Sequence, residues 1–82
     1  MITIEVLLFA GLADRLGGRT IAVEIPDGTT GGGLLERLAA DHPGAAELLG
    51  ACRVAVDREF ADPAGPIPDG AEVALIPPVS GG

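Results

Sequence analysis

The chain has 82 residues, a net charge of −7 and 48% hydrophobic residues, yet Phe9 and Phe60 are its only Phe, Tyr or Trp side chains. A chain of this length buries only about 60–65% of the surface that its unfolded form exposes, which argues against a deep enclosed catalytic cavity. All five basic residues are arginines scattered along the sequence, so binding to a nucleic-acid backbone is not expected. The composition predicts a single globular domain over residues 1–82, with an aliphatic core.

Cysteine and histidine are too scarce to build a metal or cofactor site. Cys52 is the only cysteine, which excludes an internal disulfide and any cluster held by several thiolates, and His42 has no second histidine beside it. Because Cys52 opens an apolar strand, we interpret it as a small core or edge residue, not as a sulfur-carrying thiol. No signal peptide or membrane span is visible, so we predict a cytoplasmic protein without a membrane partner.

The first part of the chain reads as two strands joined by a short helical turn. Residues 1–9 and residues 19–25 alternate apolar and polar side chains, which is typical of strands. Between them, Leu12 and Leu16 stand one helical turn apart before two glycines end the turn. These two runs predict a long β-hairpin.

One principal helix and two further strands follow. Residues 34–42 place apolar side chains on one helical stripe, and Pro43 ends this helix near His42. Residues 52–56 and 72–76 read as strands, and the proline-bearing connection between them suggests a short edge strand near Phe60.

The segment GTTGGG, residues 28–33, resembles a phosphate-binding loop. Such a loop requires a lysine followed by Ser or Thr, and the chain has no lysine, so nucleotide binding there is not expected. Thr30 is a candidate helix N-cap. Each glycine inside a helix costs about 1 kcal/mol relative to Ala, which predicts a weakly held first turn.

The order strand, strand, helix, strand, strand predicts an α+β fold of the ubiquitin-like β-grasp type, in which one main helix covers one face of a mixed sheet. Alternation then places Phe9 and Ile76 on the other face. Two interpretations are open. These side chains form a docking patch beside the C-terminal tail, or the long connection after Val56 covers them.

The last six residues, PPVSGG, form a predicted flexible tail over residues 77–82. Fully extended, such a tail spans at most about 20 Å. Pro77 and Pro78 restrict its root, whereas Gly81 and Gly82 are thin enough to enter a narrow channel. We therefore expect the α-carboxylate of Gly82 to be the working group, while a frayed and inert terminus is the simpler reading.

The segments LLFAGLADRLGG, LLERLAADHPG, VAVDREF and PDGAEVALIPPVSGG, which cover nearly the whole chain, resemble the MoaD family of molybdopterin synthase small subunits. The resemblance implies a sulfur carrier whose terminal carboxylate is adenylated by an ATP-using, E1-like activating enzyme and converted to a thiocarboxylate. The carrier then supplies sulfur to cyclic pyranopterin monophosphate in the large subunit of the synthase. It would itself be non-catalytic and bind no cofactor, with the catalytic residues on that partner.

By the same resemblance, Gly82 matches the sulfur-bearing end and Gly81 its required neighbour, while Phe9, Phe60 and Ile76 match apolar positions that contact partners. Asp57 departs from the family, which often has Asn there, and this leaves any amide-specific contact in question. The alternatives are a thiamine-type sulfur carrier, a ubiquitin-like protein modifier and an inert interaction domain.

Overall fold

The computed structural model describes residues 1–9 and 11–78. The predictions made for Gly81 and Gly82 lie outside the described residues. No helix within residues 1–9 and 11–78 has both the length and the apolar character needed to cross a membrane.

The described residues form a mixed five-stranded sheet with the order β2-β1-β5-β3-β4. Its central pair, β1 and β5, is parallel, and its other neighbouring pairs are antiparallel. The strands are β1 (Ile2–Leu8), β2 (Thr20–Ile25), β3 (Arg53–Val56), β4 (Glu59–Phe60) and β5 (Glu72–Ile76). This is the predicted β-grasp arrangement, and it includes both the β1–β2 hairpin and the short edge strand at Phe60.

The helices lie in the connections between strands. They are α1 (Gly11–Leu16), α2 (Gly31–Asp41), a 3₁₀ turn (Pro43–Ala45) and α3 (Ala46–Gly50). The principal helix α2 ends where the sequence predicts, because His42 is its C-cap and donates its backbone N–H to Leu38 O at 2.8 Å. It begins at Gly31, directly after the predicted N-cap Thr30, so the three glycines form its first turn.

The core lies between the sheet and the helices. Strand β1 alternates strictly, with Ile2, Ile4, Val6 and Leu8 buried, and Leu34 and Leu38 of α2 pack against this face. Aliphatic side chains at these positions remove their apolar surface from water, which is the main source of folding free energy in so small a domain.

The connection between β4 and β5 packs against the start of α2. Residues Pro63 and Gly65 accept hydrogen bonds from the N-terminal backbone of that helix, and Ile67 is buried in the core. The first turn of α2 lies against β3, since a Cβ added at Gly31 would be in van der Waals contact with Val54, 3.4 Å from its Cγ1. The connection between β4 and β5 therefore lies on the side of the sheet that α2 covers and is hydrogen-bonded to the start of that helix.

Candidate functional site: the outer sheet face and the root of the tail

The face of the sheet opposite α2, here called the outer face, can be read row by row from the strand register. Residues paired directly across neighbouring strands point to the same side. The middle row runs across all five strands and consists of Thr20, Leu7, Ala74, Ala55 and Phe60. The outer face is therefore apolar at its centre.

Ala55 shows that this apolar row is packed separately from the core. It is only 5% exposed, yet it does not belong to the core cluster. Its register partners, Ala74 on one side and Phe60 on the other, share its face. A second, smaller apolar layer therefore covers the outer side of β3 and β5.

Of the two aromatic side chains, Phe60 ends this row at the β4 edge, and Phe9 lies beyond the row, toward the tail. Phe9, directly after β1, is 48% exposed, and Phe60 in β4 is 59% exposed. Ile76, at the end of β5, is half-buried. The hydrogen bonds of the long connection after Val56 run to α2 and to strand ends, so within the described residues that connection packs on the helix side. The interpretation in which it covers the patch is wrong.

Arg53 is a feature of the outer face that was not singled out from the sequence. Its guanidinium carbon lies 4.0 Å from the centroid of the Phe60 ring, a cation–π contact, and its register partner on β5 is Ile76. The alternation of β3, in which Val54 points inward, already places Arg53 on this face. The Arg53 backbone therefore pairs with the end of β5, while its positive charge lies over Phe60 at the β4 edge.

The tail leaves the sheet from a strand that is paired on both sides. Strand β5 lies between β1 and β3, and Arg53 pairs with its last residue, Ile76. Pro77 is half-buried and Pro78 is exposed, so the chain passes from the sheet to solvent within two residues. The structure thus brings Phe9, Ile76 and the two prolines to one end of the sheet, and Phe60 lies at the β4 edge.

Asp57 forms the tight turn between β3 and β4. Asp57 and Arg58 have φ angles of 49° and 73°, which two-residue hairpins commonly require. Asp57 Oδ1 accepts a hydrogen bond from the Glu72 backbone N–H at 3.0 Å, and the Asp57 N–H donates to Glu72 O at 2.8 Å. The side chain acts as an acceptor, so this contact does not require an amide, and Asp57 serves it as Asn would.

The three glycines that open α2 have no backbone N–H group free for a phosphate. Their N–H groups are bonded within the protein, although a helix N-terminus normally leaves them unpaired, and the N–H of Leu34 makes the first ordinary bond of the helix. Their acceptors, for residues 31 to 34 in order, are Gly65 O, Pro63 O, Thr30 Oγ1 and Thr30 O, at 3.4, 2.9, 3.0 and 2.9 Å. These bonds confirm Thr30 as the N-cap and hold the glycine turn more firmly than its composition predicts.

Cys52 is held as a structural residue. Its side chain is half-buried, and its Sγ donates to Leu48 O at 3.3 Å. Burial raises the pKa of the Cys52 thiol, which disfavours the reactive thiolate. Within residues 1–9 and 11–78, no group of three or more His, Cys, Asp or Glu side chains is placed to hold a metal ion.

Comparison with known proteins gives a consistent picture. Residues 6–82 match the ThiS family. The chain is 36% identical over 81 residues to the molybdopterin synthase sulfur carrier subunit of Chlamydomonas reinhardtii, with 96% of this chain and 98% of that one covered. These matches confirm the resemblance found in the sequence.

Solved structures agree with the topology. The crystal structure of Haloferax volcanii small archaeal modifier protein 1 has a TM-score of 0.81 and 32% identity, covering 96% of this chain and 100% of that one. Subunits 1 and 2 of the molybdopterin-converting factor from Helicobacter pylori have been solved as a protein–protein complex. The matching chain there has a TM-score of 0.67 and 26% identity, with 99% of this chain and 100% of that one covered.

Proposed function

The chain belongs to the ThiS family, and from that premise we propose that it is the sulfur carrier subunit of a molybdopterin synthase. The observation that carries the proposal is the position of the tail root. Pro77 and Pro78 directly follow β5, a strand paired on both sides, at the end of the sheet where both Phe9 and Ile76 lie. A tail attached in this way is delivered with its docking surface as one unit.

We propose that the reacting group is the carboxylate of Gly82. A carboxylate is a poor acylating group until one of its oxygens becomes part of a good leaving group. Its attack on the α-phosphate of ATP, in an E1-like activating partner, releases pyrophosphate and leaves an acyl-adenylate. A sulfur donor then displaces AMP and leaves a thiocarboxylate. ATP is a substrate of the partner, and this chain holds no cofactor in the proposed cycle.

The second half of the cycle takes place in the large synthase subunit. The thiocarboxylate sulfur is transferred to cyclic pyranopterin monophosphate, and water restores the Gly82 carboxylate. The catalytic residues for this step lie on the partner. This chain contributes a tail whose root is restricted by Pro77 and Pro78, which reduces the entropy lost when the tail is ordered in a channel. Gly81, without a side chain, adds no bulk to the threaded segment.

We propose that both partners dock on the outer face through Phe9, Phe60 and Ile76, with Pro77 and Pro78 at the edge of the contact. Phe9 and Phe60 are about half exposed, and aromatic side chains in such positions supply much of the energy of protein interfaces. The two partners would then use the carrier in turn, because one surface cannot hold both.

Intact-mass spectrometry tests the chemistry. The protein is incubated with its activating enzyme, ATP and a sulfur source, and the expected result is the replacement of one oxygen by one sulfur, located at Gly82 by fragmentation. A variant lacking Gly82 serves as control and should show no change. Gly81→Ala should keep the fold but react more slowly. An unmodified wild-type mass under conditions in which ATP is consumed would contradict the proposal.

A protein modifier is the second candidate, because the chain is also similar to small archaeal modifier protein 1 of Haloferax volcanii. In that role Gly82 would form isopeptide bonds with lysines of other proteins. The chain has no lysine of its own, so it could not form lysine-linked chains. Peptides in which a C-terminal fragment of this chain is joined through Gly82 to lysines of cell proteins would favour this candidate, and their absence beside a sulfur-bearing Gly82 would favour the carrier.

A further inference from the structure

A row of carboxylates crosses the outer face at the end away from the tail. Glu5 of β1 and Glu72 of β5 are direct register partners on neighbouring parallel strands. Asp57 continues the row, since its carboxylate accepts a hydrogen bond from the Glu72 backbone. These three acidic residues, here called the carboxylate row, lie next to the apolar middle row of the sheet.

The carboxylate row costs the isolated domain some stability. Like charges placed directly across neighbouring strands repel one another. Arg58 offsets part of the repulsion, because its Nε lies 4.0 Å from Glu72 Oε1, but the side chain of Arg58 is 90% exposed and such a pair contributes little. Glu5 forms no ion pair with any described residue. Nothing in the described part of the fold therefore requires Glu5 to be acidic.

Charge changes sign across the outer face. Glu72 and Ile76 are four residues apart on β5, which separates the carboxylate row from the tail root by about 13 Å. The apolar row lies between them. Arg53 holds its guanidinium over Phe60, at the β4 edge of the apolar row. The surface thus has a negative end away from the tail, an apolar centre and a positive charge at the β4 edge.

We propose that this arrangement of charge sets the direction in which the carrier docks. The inference rests on the proposed function and adds the chemistry of the partner: a protein surface with an apolar centre, a basic patch about 13 Å from the entrance to its channel, and an acidic group that faces Arg53 beside Phe60. In this orientation the tail faces the channel. In the reverse orientation, the carboxylate row lies away from the basic patch and Arg53 lies away from the acidic group, and the loss of both attractions disfavours the unproductive complex.

Association kinetics with the purified large synthase subunit of the same organism test the proposal. The variant is Glu5→Gln, and the matched control is Glu36→Gln, which removes one exposed carboxylate from the far side of the molecule, on α2. Both variants change the net charge equally. We expect Glu5→Gln to slow association about threefold to tenfold at low salt and to reduce its salt dependence, and Glu36→Gln to have a clearly smaller effect.

Thermal unfolding of the free carrier separates recognition from a structural role. Glu5→Gln should leave the melting temperature unchanged or raise it, because it removes a repulsion. Equal association rates for the two variants, or a loss of stability in Glu5→Gln that accounts for its slower association, would overturn the inference while leaving the sulfur carrier function intact. If the wild-type carrier did not associate with the large subunit at all, the proposed function would fall and the inference with it.

Discussion

Both faces of the sheet carry apolar side chains, but those under α2 are buried and those on the outer face are partly exposed. On the face under α2, Val6 and Val73 are fully buried and Ile4 is 1% exposed. On the outer face, Phe9 and Phe60 leave about half of their surface in water. Neighbouring residues along a single strand therefore belong to two different environments, and the pleat of the strand decides which one each residue joins.

Energetically, this difference separates stability from recognition. Burial of apolar surface contributes about 25 cal/mol per Å², so a side chain that is already buried has made most of its contribution to folding. A half-exposed side chain can still bury apolar surface when a partner binds. Substitutions on the helix-covered face should therefore lower the free energy of unfolding, and substitutions on the outer face should weaken association.

The largest effect is expected for Leu75→Ala, compared with Ile76→Ala. The two residues are adjacent in β5, but Leu75 is fully buried while Ile76 is half-buried on the outer face. Removing the Leu75 side chain should cost about 2–5 kcal/mol of unfolding free energy, and Ile76→Ala about 1 kcal/mol. Chemical denaturation measures both values.

For association with the large subunit, the order of the two effects should be reversed. Ile76→Ala should weaken binding about tenfold, the effect of losing one contact in an interface centre. Leu75→Ala, measured at a temperature where the variant is still folded, should bind nearly as the wild type does. If the two variants lost stability to the same extent, the contrast between the faces would be incorrect.

Thr30→Ala is expected to have a smaller effect than Leu75→Ala, through the loss of the hydrogen bond that Thr30 Oγ1 accepts from the N–H of Gly33 at 3.0 Å. Loss of an N-cap of this type costs about 1 kcal/mol of unfolding free energy. Thr30→Ser keeps the hydroxyl and should retain most of the stability. Thr30 lies at the start of α2, away from the outer face. The affinity for the large subunit should therefore be unchanged when it is measured under conditions in which the variant is fully folded. A binding defect in Thr30→Ala would contradict the assignment of recognition to the outer face.

Much of the fold could be predicted because strand alternation and helix stop signals are local properties of the sequence. Both strands of the first hairpin and the end of α2 at His42 follow from such signals. The N-cap Thr30 also marks the start of α2, but the firm hold on its glycine turn does not follow from the local sequence, because Gly31 and Gly32 are bonded to carbonyls of the distant segment 63–65. These tertiary hydrogen bonds outweigh the low helix propensity of glycine.

The docking surface was predictable only in part. Phe9 and Phe60 stand out because the chain has no other large aromatic residues, and alternation assigns Ile76 to the outer face. Ala55 and Arg53 were missed, since their roles depend on which residues lie across from them in β4 and β5. The register between two strands depends on how they pair in the folded sheet and cannot be predicted from the sequence of one strand.

Cys52 offers a smaller test on the helix-covered side. Because burial raises the pKa of its thiol, the unfolded chain ionises at lower pH than the folded protein does. The contribution of Cys52 to stability is therefore present below the pKa of the unfolded thiol and is lost as pH rises through the raised folded value. Iodoacetamide at mildly alkaline pH should alkylate native Cys52 several-fold more slowly than the denatured chain. Equal rates would show that the thiol is as accessible and as acidic as in a free peptide.

The smallest effect is expected for Asp57→Asn, at the turn where the outer face ends. Asn keeps an oxygen acceptor for the Glu72 N–H and adopts the left-handed conformation as readily as Asp does. It also removes one charge next to Glu72, so the unfolding free energy should stay equal or rise by a few tenths of a kcal/mol. Asp57→Ala loses the acceptor and places a residue poorly suited to φ 49° in the turn, which should cost about 1–2 kcal/mol. Denaturation of both variants separates the two contributions, because a loss in Asp57→Asn equal to that in Asp57→Ala would mean that the carboxylate charge, and not its hydrogen bond, holds the turn.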